Sequence, residues 1–444
     1  MTRPGMRPSD APPASAAPEW FSDVTPRRVA VVVAGAGARG GYEAGVLSVL
    51  LPRLAAAGAV PTLFVGTSAG AINSALCTAG AHLTAADQGE AVLKVWRNLH
   101  TYDVFRSPLK TGLGTAGRWA GQLMRIPGVR LTSLLDTSPL WRMAQAAVDW
   151  PQLRANVDEG RTALAVVTTS GEDNRTVVFV DRIGQKQLPP SDDSRPIDYR
   201  RAKISRAHVL ASAAIPVIFP PVQVPDEDGS VGGWYIDGGV RLNTPLKPAL
   251  ALDADAVVIV ATHPALDAAT RIPHTVAGAP PDVDDTLVRV MDAALVDRMV
   301  EDVNTLAKIN MLVGAVSGRG RDEPRLEYKV VPFLAIGPPD RGTLGLLAAE
   351  VFERTSHGIA NLSRITRDVD IQVLGRLLAG DGSRRGDLLS YLYFHPDFIE
   401  ASIELGRRDA HEILAGDPTA GIPWQFGPGS GRYGPRGTSV AQPQ

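Results

Sequence analysis

The first strongly apolar run, Val29-Ala30-Val31-Val32-Val33, carries no polar residue on either face. Four valines in five positions predict a strand covered on both sides, as in a parallel sheet. The run ends in Gly35-Ala36-Gly37-Ala38-Arg39-Gly40-Gly41. Apolar residues then recur at Ala44, Val46, Leu47, Leu50, Leu51 and Leu54, predicting a helix from Tyr42 to about Ala57. Pro52 would kink or shorten it, and Gly58 closes it. Thr62-Leu63-Phe64-Val65 predicts a second buried strand, and Ala71 to Ala79 a second helix. Strand, glycine loop, helix, strand, turn, helix is a βαβ unit and implies a parallel sheet.

Further helices are expected at 86–99, 139–148 and 207–214, the last ended by Pro216. Strands are expected at 163–169 and 176–180, joined across Gly171-Glu172-Asp173-Asn174 as a hairpin. The apolar Trp234-Tyr235-Ile236 leads into Asp237-Gly238-Gly239, and 256–261 is expected to be another buried strand. Beyond 264–281, which is rich in Pro and Ala, the pattern turns helical. Leu287, Met291, Leu295, Met299, Val303 and Leu306 mark a helix over 286–312, with acids near its start. A strand at 325–331 and helices at 345–353, 367–378 and 396–414 follow. The expected organisation is a disordered leader 1–26, an α/β unit 27–265, a connector 266–282, a helical region 283–416 packed on that unit, and a disordered tail 417–444.

Composition adds exclusions. The 444 residues are 44% hydrophobic and 21% charged, ordinary values for a soluble globular protein. The net charge of -2 gives no reason to expect a nucleic-acid partner. A single cysteine, Cys77, excludes an internal disulfide and disfavours a zinc site; it reads as a small buried residue. No apolar run approaches the ~18 residues of a membrane span, and the N-terminus lacks the apolar core of a signal peptide. The expected compartment is the cytoplasm, with peripheral contact to a membrane as an option. Segment 108–131 bears on that option. It is Gly-rich and sets Lys110, Arg118, Arg125 and Arg130 around Trp119, Leu123, Met124 and Ile126. It reads as a surface insertion, a lid or a membrane-contacting element. Nothing in the sequence speaks to an oligomeric state.

The candidate chemistry starts at Gly66-Thr67-Ser68-Ala69-Gly70. A serine on a sharp strand-to-helix turn between two glycines is a nucleophile elbow. A bare G-x-S-x-G arises by chance in roughly one chain in five of this glycine content, so its context matters. The neighbouring Gly35-Ala36-Gly37-Ala38-Arg39-Gly40 also spells G-x-G-x-x-G, a dinucleotide fingerprint. That reading needs an acid about 20 residues on, at the end of the second strand. No Asp or Glu occurs between Glu43 and Asp87, and the second strand ends in the elbow instead. The same amides, at a helix N-terminus, would equally form an oxyanion hole.

A serine nucleophile needs a base. The histidines at 82, 100, 208, 263, 274, 357, 395 and 411 are scattered, with His263 at a strand end the best placed. Asp237, after Trp234-Tyr235-Ile236 and before Gly238-Gly239, is the stronger candidate, although Asp-Gly-Gly is also an ordinary turn. As base it would need a raised pKa, which burial supplies.

Glycine loop, elbow and Asp-Gly-Gly, in this order, resemble the patatin-like phospholipase family. Glu43-Ala44-Gly45-Val46-Leu47 is similar to the family's first helix. Ala211-Ser212-Ala213-Ala214-Ile215-Pro216, Phe219-Pro220-Pro221 and Asp237 to Pro245 also resemble family segments. Ser390-Tyr391-Leu392 to His395-Pro396-Asp397-Phe398 is similar to longer bacterial members. The resemblance implies a three-layer α/β/α fold with a mainly parallel central sheet, here with a helical C-terminal extension. It implies Ser68 as nucleophile, Asp237 as general base, and residues 35–40 as oxyanion hole, with no metal or cofactor. It implies a phospholipid or other acyl lipid as substrate. Ala36 departs from the family, which more often has Gly there. Arg39 matches a basic family position, either steering anionic head groups or fixing the loop. Two alternatives remain at this level: a Ser-His-Asp hydrolase using His263 or His395, and a non-catalytic lipid- or protein-binding module.

Overall fold

The computed structural model describes residues 26–106, 133–184, 187–226, 232–264, 297–317, 328–356, 386–415 and 421–427. The insertion 108–131, the leader, the connector, the start of the 286–312 helix and the 367–378 helix lie outside the described residues.

Strand β1 (Val29–Val33) is flanked in parallel by β2 (Pro61–Thr67) and β8 (Ala256–Val260). Strand β2 pairs in parallel with β3 (Ala163–Ser170), and β8 with β9 (Phe333–Ile336). Strand β4 (Thr176–Asp181) returns antiparallel to β3 as the expected hairpin, and β5 (Ile197–Arg201) lies parallel beyond it. The order is β5-β4-β3-β2-β1-β8-β9. Strand β6 (Val222–Gln223) pairs with β7 (Trp234–Asp237), which runs antiparallel to the end of β3. The sheet is therefore mainly parallel, as the apolar runs imply.

Alternation along β1 divides the interior. Val29, Val31 and Val33 face one core, and Ala30, Val32 and Ala34 the other. The first core is covered by α1 (Gly40–Ala56), α2 (Ala69–Ala79), α3 (Ala85–Arg97), α4 (Thr101–Val104), α5 (Ser138–Ala147), α6 (Trp150–Asp158) and α7 (Arg206–Ser212). On the other face, α8 (Gly239–Leu242), α9 (Leu246–Ala251) and α10 (Asp297–Ser317) cover the second core. Helices α11 (Thr343–Ser356), α12 (Asp387–Leu392) and α13 (Pro396–Ile413) return to the first face. The result is three layers with the C-terminal helices built into the first core.

Several elements differ from expectation. Helix α1 continues through Pro52 to Ala56. Of the strand expected at 325–331, residues 325–327 lie outside the described residues and 328–331 form no ladder; the strand lies at 333–336, after Pro332. Pro332 needs no N–H there, because β9 is a sheet-edge strand and the Pro332 carbonyl accepts from Val257 N–H at 3.0 Å. Strand β5, helix α6 and helix α12 were not expected; β5 reads Ile-Asp-Tyr-Arg-Arg, too polar for a period. Of the tail expected at 417–444, only 421–427 lies among the described residues, and there Gln425 pairs with Phe333 through two backbone hydrogen bonds, 2.7 and 3.0 Å, on the outer edge of β9.

Candidate active site

Strand β2 extends to Thr67 and passes straight into α2, leaving Ser68 alone at the corner with φ +54°. That is the left-handed half of the map, uncommon for a residue with a Cβ. The elbow is tight on both sides. A Cβ at Gly66 would run into the backbone of Gly70 and Ala71, and one at Gly70 into the carbonyls of Val33 and Ala34. Only glycine lets the helix start lie so close to the ends of the strands. The Ser68 N–H donates to Ser212 Oγ at 2.9 Å, and Ser212 Oγ donates to the Val167 carbonyl. Helix α7 and strand β3 thus hold the corner.

The Ser68 hydroxyl donates to Asp237 Oδ2 at 2.7 Å. The two residues are 169 positions apart, and the sheet joins them. Strand β7 lies antiparallel to β3, which pairs with β2, so the end of β7 arrives beside the elbow. Asp237 is fixed on all sides. Its N–H donates to the Ala214 carbonyl, its carbonyl accepts from Thr169 Oγ1 at 3.0 Å, and its Oδ1 accepts from Gly239 N–H at 2.7 Å. Burial pushes the carboxyl up to about 6, while the hydrogen bonds from Ser68 and Gly239 pull the other way. Desolvation of the charged form wins.

The glycine loop leaves the end of β1 beside this pair. A Cβ on Gly35 would strike the Asn243 side chain and press on Ser68 Cβ. Residues Gly37–Arg39 form a 3-10 turn leading into α1, with Arg39 N–H bonded to the Ala36 carbonyl and Gly37 at φ +56°. The opening amides of such a turn have no intrahelical acceptor. Arg39 does not face solvent. Its side chain is wholly buried, so it steers no head group at the surface.

Ser68 and Gly37 stand at the wall of a cavity that is otherwise almost entirely apolar. Ile72, Leu99, Leu140, Met143, Ile215 and Phe219 are among its lining residues. Trp96 also lines it, with its indole N–H tied to Asn73 Oδ1 at 2.6 Å.

His274 and His357 lie outside the described residues, and the best-placed histidines among the described residues are engaged elsewhere. Among the described residues, the hydrogen-bond partner of Ser68 Oγ is Asp237. His263 Nε2 lies 3.1 Å from Arg39 Nη1 and 2.9 Å from Tyr391 Oη. His395 accepts from Asp397 N–H at the start of α13 and stacks on Tyr393. His208 caps α7 against Phe179, its pKa lowered to about 4 by burial. Ser212, Asn243 and Asn73 escaped the sequence reading as site residues. Ser212 and Asn243 lie within the segments that carry the family resemblance, the one signal that marked them. Among the described residues, no helix is long and apolar enough to cross a membrane.

The family model described as patatin-like phospholipase matches residues 31–250. That span contains the loop, the elbow and Asp237. No curated protein matches the sequence. Among solved structures, VipD from Legionella pneumophila is 13% identical, with 87% of this chain and 68% of that chain covered at a TM-score of 0.32. A human GIVD cytosolic phospholipase A2 in complex with methyl gamma-linolenyl fluorophosphonate is also 13% identical, with 86% and 56% covered at a TM-score of 0.35.

Proposed function

Since the chain belongs to the patatin-like phospholipase family through residues 31–250, we propose that it is a lipid acyl hydrolase working through an acyl-Ser68 intermediate. One observation carries the reading: a serine hydroxyl, on a strained elbow at the wall of an apolar cavity, donates to a buried carboxylate 2.7 Å away. Family membership supports hydrolysis of lipid esters; the assignment of roles rests on chemistry.

Asp237 Oδ2 takes the hydroxyl proton as Ser68 Oγ attacks the ester carbonyl. The carbonyl oxygen becomes an oxyanion, and the amides of the 36–38 turn, with the α1 N-terminus behind them, are the donors that would hold it. The carbon–oxygen bond to the alcohol breaks, and the proton passes from Asp237 to the departing oxygen. Water then gives its proton to Asp237 and attacks the acyl-serine; the bond from the acyl carbon to Ser68 Oγ breaks, Asp237 returns the proton to Oγ, and the fatty acid leaves. A carboxyl near 6 is a far better base at neutral pH than one of ordinary acidity, which is what burial of Asp237 provides. The Ala36 methyl leaves its N–H in place. The apolar cavity matches an acyl chain, so the substrate class is a phospholipid or related acyl lipid met at a membrane surface from the cytoplasm. No step calls for a metal or cofactor.

Lipid profiling of cells or vesicles with the wild type against Ser68→Ala tests this. The expected result is release of free fatty acid by the wild type and none by a folded Ser68→Ala protein. Undiminished hydrolysis by Ser68→Ala would sink the proposal. Single replacement of His263 and His395 separates a dyad from a triad: the dyad expects both variants to hydrolyse ester.

A further inference from the structure

Arg39 ends the turn whose first amides are the candidate oxyanion donors, and its buried guanidinium is held almost entirely by the C-terminal part of the chain. Nε donates to Ser390 Oγ at 2.7 Å, and Nη2 donates to both the carbonyl and Oδ1 of Asp387 at 3.1 Å. Nη1 lies 3.1 Å from His263 Nε2. The guanidinium also stacks over the Tyr391 ring, 4.0 Å from its centroid. Ser390 Oγ closes the arrangement by donating to the Asp387 carbonyl at 2.6 Å.

A second contact is independent of that side chain. Gly37 sits at φ +56° with the Tyr391 carbonyl against its Cα, where a Cβ would collide with that oxygen. On its other flank the loop meets Asn243 and Ser68 through Gly35. The loop is therefore clasped between the elbow and the backbone of α12. Helix α12 is itself seated tightly: Gly386 turns at φ +80° against the Gly345 carbonyl, and a Cβ at Gly345 would strike Asp387. Residues 386–391 lie well beyond 31–250, the part that matches the family.

We infer that Asp387, Ser390 and the Tyr391 carbonyl are positioning groups that hold the 36–39 turn, through Arg39 and Gly37, in the geometry needed to receive an oxyanion. The C-terminal region is thus a working part of the active site. The inference rests on the hydrolase reading for its catalytic consequence, but not for the loop geometry. Loosened donors bind the ground-state ester little differently and the oxyanion much worse, so the loss falls on kcat.

The test uses the full-length protein with Asp387→Asn and Ser390→Ala. Each is compared with wild type by amide hydrogen exchange of the peptide spanning 34–41 and by hydrolysis of a soluble p-nitrophenyl ester. Expected are exchange at least about 10-fold faster in that peptide, and kcat lower by about 10-fold or more with KM within about twofold. Ser390→Ala removes one neutral acceptor and guards against a folding failure of Asp387→Asn, which leaves a buried cation uncompensated. Folded variants with wild-type exchange over 34–41 and wild-type kcat would overturn the brace. Faster loop exchange in a protein whose wild type hydrolyses no ester would leave the brace standing and remove the hydrolase reading instead.

Discussion

Ser68 and Asp237 each hold a state that folding alone would avoid. Ser68 sits at φ +54°, a strain of order 1–3 kcal/mol. Asp237 has its carboxyl raised from 3.8 to about 6 by burial. A raised folded-state value means the native protein holds its proton more tightly than the unfolded chain. The stabilising effect of that proton is full below about pH 4 and is lost as pH rises through about 6. The gap amounts to about 3 kcal/mol. Asp237→Asn is therefore expected to abolish hydrolysis yet raise stability by up to about 3 kcal/mol at pH 8, with little gain at pH 4, as urea melts at the two pH values would register. In the wild type, kcat/KM should climb to a plateau above an apparent pKa of about 6, because the base must be ionised. Neither motif is decisive locally, since a glycine-flanked serine recurs by chance and Asp-Gly-Gly is also an ordinary turn; both became candidates through their order along the chain and the family resemblance. Their pairing was expected from that resemblance, but the topology that creates the 2.7 Å contact was not legible, because it depends on strand β7 running antiparallel to β3.

Helix packing around the loop depends on a few buried groups. Asn73 on α2 donates to the Gly40 carbonyl and to Glu43 Oε2 on α1, and accepts from the Trp96 indole on α3. Burial pushes the Glu43 carboxyl well above its ordinary value, against the pull of Asn73. Asn73→Ala takes the partner from the Trp96 indole N–H and from the buried Glu43 carboxyl, so a loss of about 1–3 kcal/mol per group is expected in thermal melts. Helices α1 and α13 touch backbone to backbone. A Cβ at Gly45 would hit the Ile403 carbonyl, and one at Gly406 the Tyr42 carbonyl, beside the 2.9 Å bond from Tyr42 Oη to Asp409. Gly406→Ala should wedge the pair apart and cost about 1–3 kcal/mol, read from the urea midpoint. Sequence patterning found α1, α2, α3 and α13 because each carries a long amphipathic or apolar period. It missed β5, whose polar residues suit a sheet edge, and α12, six residues long. It could not find the Asn73 bridge or the Gly406 contact, since single residues distant in sequence carry no period.

At the scale of the molecule, the C-terminal helices complete a core that the first part of the chain leaves open. Leu389, Phe394, Phe398, Ile399 and Ile403 lie buried in the same cluster as β1 and α1. A protein stopped after Arg385 is expected to expose that surface and to aggregate or fail to melt cooperatively, as size-exclusion chromatography and calorimetry would reveal. Composition alone drew a boundary between an α/β unit and a helical extension; packing joins them through one core and through Arg39. The proposed hydrolysis requires Ser68 to be a nucleophile activated by Asp237. Incubating the folded protein with an alkyl fluorophosphonate, followed by intact and peptide mass spectrometry, reads this directly. The expected result is a single adduct on the peptide containing Ser68, absent in Ser68→Ala and greatly slowed in Asp237→Asn. A folded wild type that takes up no adduct, or takes it up on a different residue, would contradict it.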